Sequence, residues 1–260
     1  MKKHLLVYLI IISFLTIIAC SNPFWPGLDG KNGNTGNTGN TSKTGGQECV
    51  HDWDWGSRIL DEPVNKGIQK CIKCNAPAEV GDIGPGGGII FYVDSNGFDI
   101  YTYKSFHNKN DLYYKAYYLE AAPNDEGTAE WSHNVKASID QVYETGKTFG
   151  LGYFHTEEIN RYLNEENQTG KAAQLCWNVS YGNFPQFKDN WFLPSIDELV
   201  LLYKEKDRIN NLSSGFYWSS TYNDPVPVVK AWCLNFAANG SNPTVLGYNV
   251  KCNVRAINAF

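Results

Sequence analysis

The sequence predicts an α+β protein. Its clearest helix signal is DNWFLPSIDELVLLYKEKD, in which Ser195 and Glu198 form an S-x-x-E capping box and Leu199, Leu202 and Tyr203 mark one helical face. Strand signals follow in three short aromatic or alternating runs separated by turn residues: GFYWSSTYND, VVKAWCLNFAANG and YNVKCNVRAINAF. Apolar residues make up 42% of the 260 residues and charged residues 19%, which is enough apolar material for a folded core.

The first residues predict an export signal. Two lysines precede an apolar run from Leu5 to Ala19, which is shorter than the roughly 20 residues that a membrane-spanning helix needs. The run ends in IIAC, a pattern that resembles the lipobox of bacterial lipoproteins. We therefore predict that residues 1–19 are a signal peptide and that Cys20 is lipidated, with an uncleaved membrane anchor as the alternative. A lipidated Cys20 places the protein in the bacterial cell envelope, at the outer membrane or cell surface.

Residues 20–47 predict a flexible tether with a collagen-like repeat. Glycine recurs at every third position from Gly27 to Gly39, Ser42 interrupts the series, and Gly45 resumes it. A collagen triple helix also needs imino acids that pre-set the polyproline II backbone, and these triplets contain no proline. With so few repeats, the segment is interpreted as a solvated chain and not as a stable triple helix.

Residues 48–79 predict a small cysteine and histidine module. Cys49 and His51 are one residue apart, and Cys71 and Cys74 have the C-x-x-C spacing that lets two thiolates reach one tetrahedral zinc ion. Together they form a Cys3His ligand set for structural zinc. Disulfide pairing among the three cysteines is an alternative, because an exported protein meets an oxidising environment, and a redox-active C-x-x-C is another. A segment of about 30 residues needs such a staple to fold.

Residues 80–260 predict the main folded domain. The segment GDIGPGGGIIFYVD is a glycine-rich turn that leads into a strand at Ile89–Val93. It precedes a strand and lacks a following Gly-Lys-Ser/Thr, which excludes a phosphate-binding loop. Another strand is predicted over Tyr113–Ala122, and helices are predicted over Thr156–Leu163 and Gln168–Trp177.

Seven short motifs occur in order within this domain: GDIGPGGGIIFYV, YYLEAAP, AAQLC, DNWFLPSIDELVLLY, YWSSTY, AW followed by NF, and VRAINAF. In this order they resemble the C-terminal domain of the Legionella collagen-like (Lcl) proteins, over about residues 80–260. The Gly-X-Y segment upstream repeats the domain order of that family. The resemblance implies a C-type-lectin-like or formylglycine-generating-enzyme-like fold, with two helices flanking a twisted antiparallel sheet. It also implies a surface protein of the adhesin kind, which binds sulfated glycans.

The charge balance and the motifs limit the function classes. The chain carries 22 Lys and Arg residues against 27 Asp and Glu residues, so it has no basic surface for a nucleic acid and no Lys/Arg cluster for sulfate groups. The tripeptides Glu-Pro-Asn and Trp-Asn-Asp of calcium-dependent lectins are absent, and Tyr222-Asn223-Asp224 is the nearest match. No residues point to catalysis. We expect a binding domain for glycans or matrix proteins, with an envelope protein that assembles with itself or with other surface proteins as the alternative.

Three cysteines remain in the main domain, and two of them lie in the late strand runs. We predict a disulfide between Cys233 and Cys252 on neighbouring strands, which leaves Cys176 as a buried thiol on an apolar helical face. A bond between Cys176 and Cys252 is the alternative.

Three tryptophans and one arginine are predicted to be structural. Trp191, Trp218 and Trp232 lie within the family motifs and are expected in the core. Arg255 in the last strand run is expected to form a buried ion pair, with Asp189 or Glu198 as its partner.

Overall fold

Two β-sheets, a separate hairpin and three α-helices make up the part of the chain that the structure describes. The structure is a computed structural model and describes residues 41–44, 47–51, 67–102, 114–132, 149–179, 181, 191–223, 230–237, 239 and 241–260, with the backbone alone for the strands within 41–50. All of these residues belong to one compact unit, Thr38–Phe260.

Eleven strands are described. One sheet has the order β5-β10-β7-β8-β9, a second has the order β3-β4-β11-β6, and β1 pairs with β2 in the hairpin. All pairs are antiparallel except β7 with β10, which run parallel. The strands are β1 (Thr41–Thr44), β2 (Gln47–Val50), β3 (Ile89–Ile100), β4 (Tyr114–Ala121), β5 (Gly127–Glu130), β6 (Trp191–Phe192), β7 (Phe216–Asn223), β8 (Lys230–Asn235), β9 (Thr244–Gly247), β10 (Lys251–Val254) and β11 (Ile257–Ala259).

The described helices are α1 (Gly152–Glu165), α2 (Ala172–Trp177), α3 (Ile196–Lys204) and a 3-10 turn at Lys206–Arg208. The predicted α+β class is confirmed. The resemblance implies two helices beside one antiparallel sheet; the described strands divide into two sheets, one of which contains a parallel pair, and three α-helices are described. None of the described helices is long and apolar enough to cross a membrane.

Helix α2 begins later than the sequence predicts. Asn167 and Gly170 have φ angles of 54° and 67°, in the left-handed region that breaks a right-handed helix. Lys171 is extended and acts as the N-cap, so the helix begins at Ala172. The part of the prediction from 168 to 171 is therefore wrong.

Helix α3 begins as predicted, and the capping box is confirmed. The Ser195 hydroxyl accepts from the Glu198 N–H at 3.4 Å, and the Glu198 carboxylate accepts from the Ser195 N–H at 2.7 Å. The apolar face of this helix then buries Leu199 and Leu202 against the four-stranded sheet and strands β7 and β8.

Among the described residues, two large apolar clusters and one small one are buried. The first joins α1 and α2 to the five-stranded sheet and contains Trp131, Trp191 and Trp218, which are at most 1% exposed. The second lies between α3, the four-stranded sheet and strands β7 and β8, and contains Phe192 and Tyr217. Each of these two large clusters contains residues from both sheets, as expected for an α+β domain.

Candidate functional site

The C-x-x-C segment folds as a tight turn. The Cys71 N–H donates to the Ala76 carbonyl at 2.8 Å, and the Asn75 N–H donates to the Cys71 carbonyl at 2.8 Å. Asn75 has a φ of 62°, a left-handed conformation that asparagine adopts more readily than most residues. The turn therefore holds Cys71 and Cys74 at its two ends, with Cys71 buried and Cys74 half-buried.

The predicted zinc ligands are only partly covered by the structure. Cys49 pairs through its backbone with Ser42 in the β1–β2 hairpin, and its side chain lies outside the described part. His51 follows β2 and is half-buried, Cys71 is buried, and Cys74 is a half-buried free thiol. Among the side chains that are described, no group of three or more His, Cys, Asp or Glu residues is placed to hold a metal ion. The Cys3His zinc site stays a prediction.

The turn packs against the four-stranded sheet. The Gln69 N–H donates to the Tyr118 hydroxyl at 2.7 Å, and the Ala78 N–H donates back to the Gln69 carbonyl at 2.9 Å. Ala78 is buried in a small cluster with Ile90 and Tyr118, and the Tyr118 ring stacks on Phe260 with centroids 5.1 Å apart. Residues 67–79 are thereby fixed to strand β4 and to the C-terminal residue.

The glycine-rich loop binds a carboxylate of its own chain. Glu120 on β4 is fully buried, and its oxygens accept from the Gly86 N–H at 2.9 Å, the Gly88 N–H at 3.3 Å and the Asn258 side-chain amide at 2.9 Å. A side chain at position 86 would overlap both Trp191 and Glu120. The glycines are needed because the loop backbone lies directly on this carboxylate. Sequence reasoning excluded a phosphate ligand and missed Glu120, which lies more than 30 residues further along the chain.

Glu198 links the start of α3 to the start of α1. Its carboxylate accepts from the Ser195 N–H at 2.7 Å and the Gly150 N–H at 2.9 Å, and a side chain at Gly152 would overlap it. Burial raises the pKa of Glu198 to about 7, while the N–H donors of Ser195, Gly150 and Gly152 oppose the rise. The capping role that the sequence predicts is confirmed, and the contact with Gly150 is additional.

This raised pKa predicts a pH-dependent stability. The folded pKa of Glu198 exceeds the ordinary value of 4.5, so the folded state holds the proton between those two pH values. The stabilisation that protonated Glu198 gives the folded state is therefore fully present below about pH 4.5 and is lost as the pH rises through 7. As the pH rises from 4.5 to 7.5, we expect the unfolding free energy of wild type to fall by about 3 kcal/mol relative to that of Glu198→Gln. Urea unfolding of both proteins across this pH range measures the difference. Parallel pH profiles for the two proteins would contradict this assignment.

Arg255 is fully buried as predicted. Its Nε donates to Asp125 Oδ1 at 2.7 Å, one Nη donates to the Asn211 carbonyl at 2.6 Å, and the other donates to the Ala122 carbonyl. Asp125 Oδ2 accepts from the Tyr217 hydroxyl at 2.7 Å. The arginine thus joins three separate segments of the chain through charge-assisted hydrogen bonds.

Of the two predicted partners of Arg255, Asp189 lies outside the described residues, so that pairing is not tested. The pairing with Glu198 is wrong, because the Glu198 carboxylate accepts from Ser195 and Gly150. The partner that the structure describes is Asp125. The segment that follows β4 lies alongside the end of β10, and Arg255 is the residue directly after that strand.

A second perturbed carboxyl group lies at Glu126. Its Oε2 accepts from the Tyr181 hydroxyl at 3.3 Å, and the Tyr181 ring meets Trp191 edge-on with centroids 5.5 Å apart. Burial raises the pKa of Glu126 to about 7, opposed by Tyr181 and Arg255. The pKa of the nearby Cys176 thiol is raised well above its ordinary value by burial and by Glu126, so this thiol is not a nucleophile at neutral pH. The pair Glu126 and Tyr181 gave no signal in the sequence.

The predicted disulfides are not present in the structure, where Cys176, Cys233 and Cys252 are free thiols. Strand β7 lies between β8, which carries Cys233, and β10, which carries Cys252. Two strand spacings amount to roughly 9–10 Å, and a disulfide requires Cα atoms within about 7 Å. The prediction treated the two strands as neighbours because strand order is not visible in the sequence. Burial raises the pKa of Cys233 and Cys252 to about 12.

Two of the three predicted core tryptophans are confirmed. Trp191 and Trp218 are 1% and 0% exposed, and the Trp218 Nε1 donates to the Ala129 carbonyl at 2.9 Å. Trp232 packs against the second cluster but stays partly exposed on β8.

The predicted signal peptide, Cys20 and most of the tether lie outside the described residues. Comparison of the chain with protein-family models and with curated proteins gives no match.

Proposed function

We propose that the protein is a bacterial surface lipoprotein whose folded head binds an extracellular glycan or matrix protein without catalysis. The order of segments supports this proposal: a lipobox ending at Cys20, a glycine-rich tether that ends before strand β1 at Thr41, and an aromatic-rich head. The seven motifs that resemble the Lcl C-terminal domain support a C-type-lectin-like variant of the α+β architecture for residues 80–260.

The main support for the proposal is that buried charged side chains in the described part of the head bind backbone groups of distant segments. Glu120, Glu198 and Arg255 are each at most 1% exposed and hold backbone groups of distant segments in place. Charges used in this way build a rigid scaffold, and binding residues are commonly presented by loops on such a scaffold. The head therefore has the character of a preorganised binding domain.

Partly exposed aromatic side chains on this scaffold supply the contact surface. Tyr222 and Tyr248 pack against the first core cluster, and neither is fully buried. The Tyr248 backbone is fixed because its carbonyl accepts from the Trp131 and Ser132 N–H groups at 2.9 and 3.2 Å. An aromatic ring held in this way offers a flat face to a sugar or to a protein side chain at little entropic cost.

A glycan array tests the proposal. The mature lipoprotein in detergent is applied to an array of sulfated and unsulfated glycans, with matrix proteins spotted beside them. We expect a signal confined to one ligand class, and only weak sensitivity to added salt, because the chain has a net charge of −5 and no basic cluster. Tyr222→Ala and Tyr248→Ala are expected to reduce the signal, and Tyr248→Phe, which retains the ring, is the matched control.

The second candidate is assembly with itself or with other envelope proteins. Ile72 and Ile83 are 67% and 55% exposed, which places large apolar side chains in water on a domain that is otherwise well packed. A silent array, together with oligomers that grow with protein concentration in light scattering, would favour this candidate over ligand binding.

A further inference from the structure

The hairpin at residues 70–77 contains Cys71 and Cys74, which have no role in the ligand binding proposed for the head. We propose that this hairpin is a metal-binding knuckle in which Cys71 and Cys74 supply two thiolates to a structural zinc ion. The proposal is independent of the ligand that the head binds.

The first argument is the shape of the hairpin. Lys70 and Pro77 form an isolated antiparallel bridge that closes the base. Inside it, the Cys71 N–H and carbonyl are both used, by Ala76 and Asn75, at 2.8 Å each. The turn is thus closed on its first cysteine and has a left-handed residue after its second, and the C-x-x-C spacing lets two thiolates on such a turn reach one metal ion.

The second argument is the direction of burial. Ile72 is 67% exposed and Lys73 is exposed, while Cys71 is 2% exposed and Cys74 is half-buried. A turn stabilised by the hydrophobic effect alone would bury the isoleucine, which has the largest apolar side chain of the four. The hairpin does the reverse: it buries Cys71, half-buries Cys74 and leaves Ile72 in water. An ion bound by the two sulfur atoms accounts for this order of burial.

The third argument is chemical. Zinc binds deprotonated thiols at about 2.3 Å in tetrahedral geometry, and a closed structural site needs two further ligands. The sequence predicts Cys49 and His51 for those places, and His51 is half-buried. A lysine directly precedes each of the two cysteines, Lys70 before Cys71 and Lys73 before Cys74. Their positive charges offset the negative charge of a thiolate site.

The metal would have a mechanical role in the fold. The hairpin is bonded to the four-stranded sheet through Gln69 and the Tyr118 hydroxyl at 2.7 Å, and through the buried Ala78. The metal therefore fixes residues 67–79 onto strand β4 and onto Phe260, whose ring stacks on Tyr118. Removing the ion is expected to release residues 67–79 from β4 while the central strands stay folded.

The test uses the mature lipoprotein purified from zinc-supplied cells. We expect about one zinc ion per chain by elemental analysis, falling below about a tenth in Cys71→Ser and in Cys74→Ser. Cys252→Ala removes a thiol from the five-stranded sheet and is the matched control that keeps the metal. Cys49→Ser and His51→Ala identify the other two ligands through the same loss.

A second measurement needs no variant. In the wild-type protein, zinc is expected to protect Cys71 and Cys74 from alkylation, and the amides of Gln69, Cys71 and Asn75 from hydrogen exchange. A chelator is expected to remove both kinds of protection together and to leave the amides of β7 and β8 unchanged. The proposal is overturned if the wild type holds no zinc and Cys71 and Cys74 are joined in a disulfide, or if both serine variants retain the ion.

Discussion

Replacing Arg255 with methionine is expected to lower the free energy of unfolding by about 3–5 kcal/mol. The guanidinium group is fully buried and is bonded to Asp125 and to the carbonyls of Ala122 and Asn211. Methionine fills much of the space but leaves the Asp125 carboxylate without its cation and the carbonyls without a donor. Urea unfolding at constant pH measures the change.

Arg161→Met is the matched control for this experiment. Arg161 forms an ion pair with Glu165 at 2.8 Å, but the two side chains are 48% and 60% exposed. An exposed pair of this kind contributes at most about 1 kcal/mol, so the control is expected to unfold close to wild type. Equal losses for the two variants would show that burial of the Arg255 network does not determine its contribution.

The Gly88→Ala variant is expected to be destabilised by about 3 kcal/mol. A Cβ atom at this position would overlap the backbone carbonyl of Ala121, and a strand backbone cannot move aside as a flexible side chain can. The loop must then lift away from β4, which also lengthens the hydrogen bonds from Gly86 and Gly88 to Glu120. Thermal and urea unfolding measure the loss.

Gly87→Asn is the control within the same loop. Gly87 has a φ of 80°, and nothing lies within 4 Å of the place where its Cβ would stand. Asparagine tolerates this left-handed backbone, so we expect a loss below about 1 kcal/mol. If Gly87→Asn were as damaging as Gly88→Ala, the close approach of the loop to β4 would not be the cause.

Features that depend on neighbouring residues could be predicted from the sequence. The capping box at Ser195 and Glu198 is complete within four residues, and the structure has it as predicted. The C-x-x-C turn is also local, and its closed geometry fits the spacing from which zinc was predicted. The periodicity predicts a start for helix α2 that is too early, because it does not detect the left-handed backbone at Asn167 and Gly170, which keeps residues 168–171 out of the helix.

Features that depend on strand order could not be predicted. The burial of Arg255 was foreseen, but its partner lies 130 residues away and becomes a neighbour only when β10 and the end of β4 meet. Likewise, the sequence does not show that β7 lies between the strands that carry Cys233 and Cys252. The carboxylate that occupies the glycine-rich loop, Glu120, is identified only once β3 and β4 pair.

The proposed lipoprotein displays its head outside the cell on a lipid attached to Cys20. Mass spectrometry of the amino-terminal peptide from the membrane fraction examines this attachment. We expect a peptide that begins at Cys20 and carries a diacylglycerol thioether, on a protein that external protease reaches in intact cells. A cytosolic protein that retains residues 1–19 and an unmodified Cys20 would contradict it.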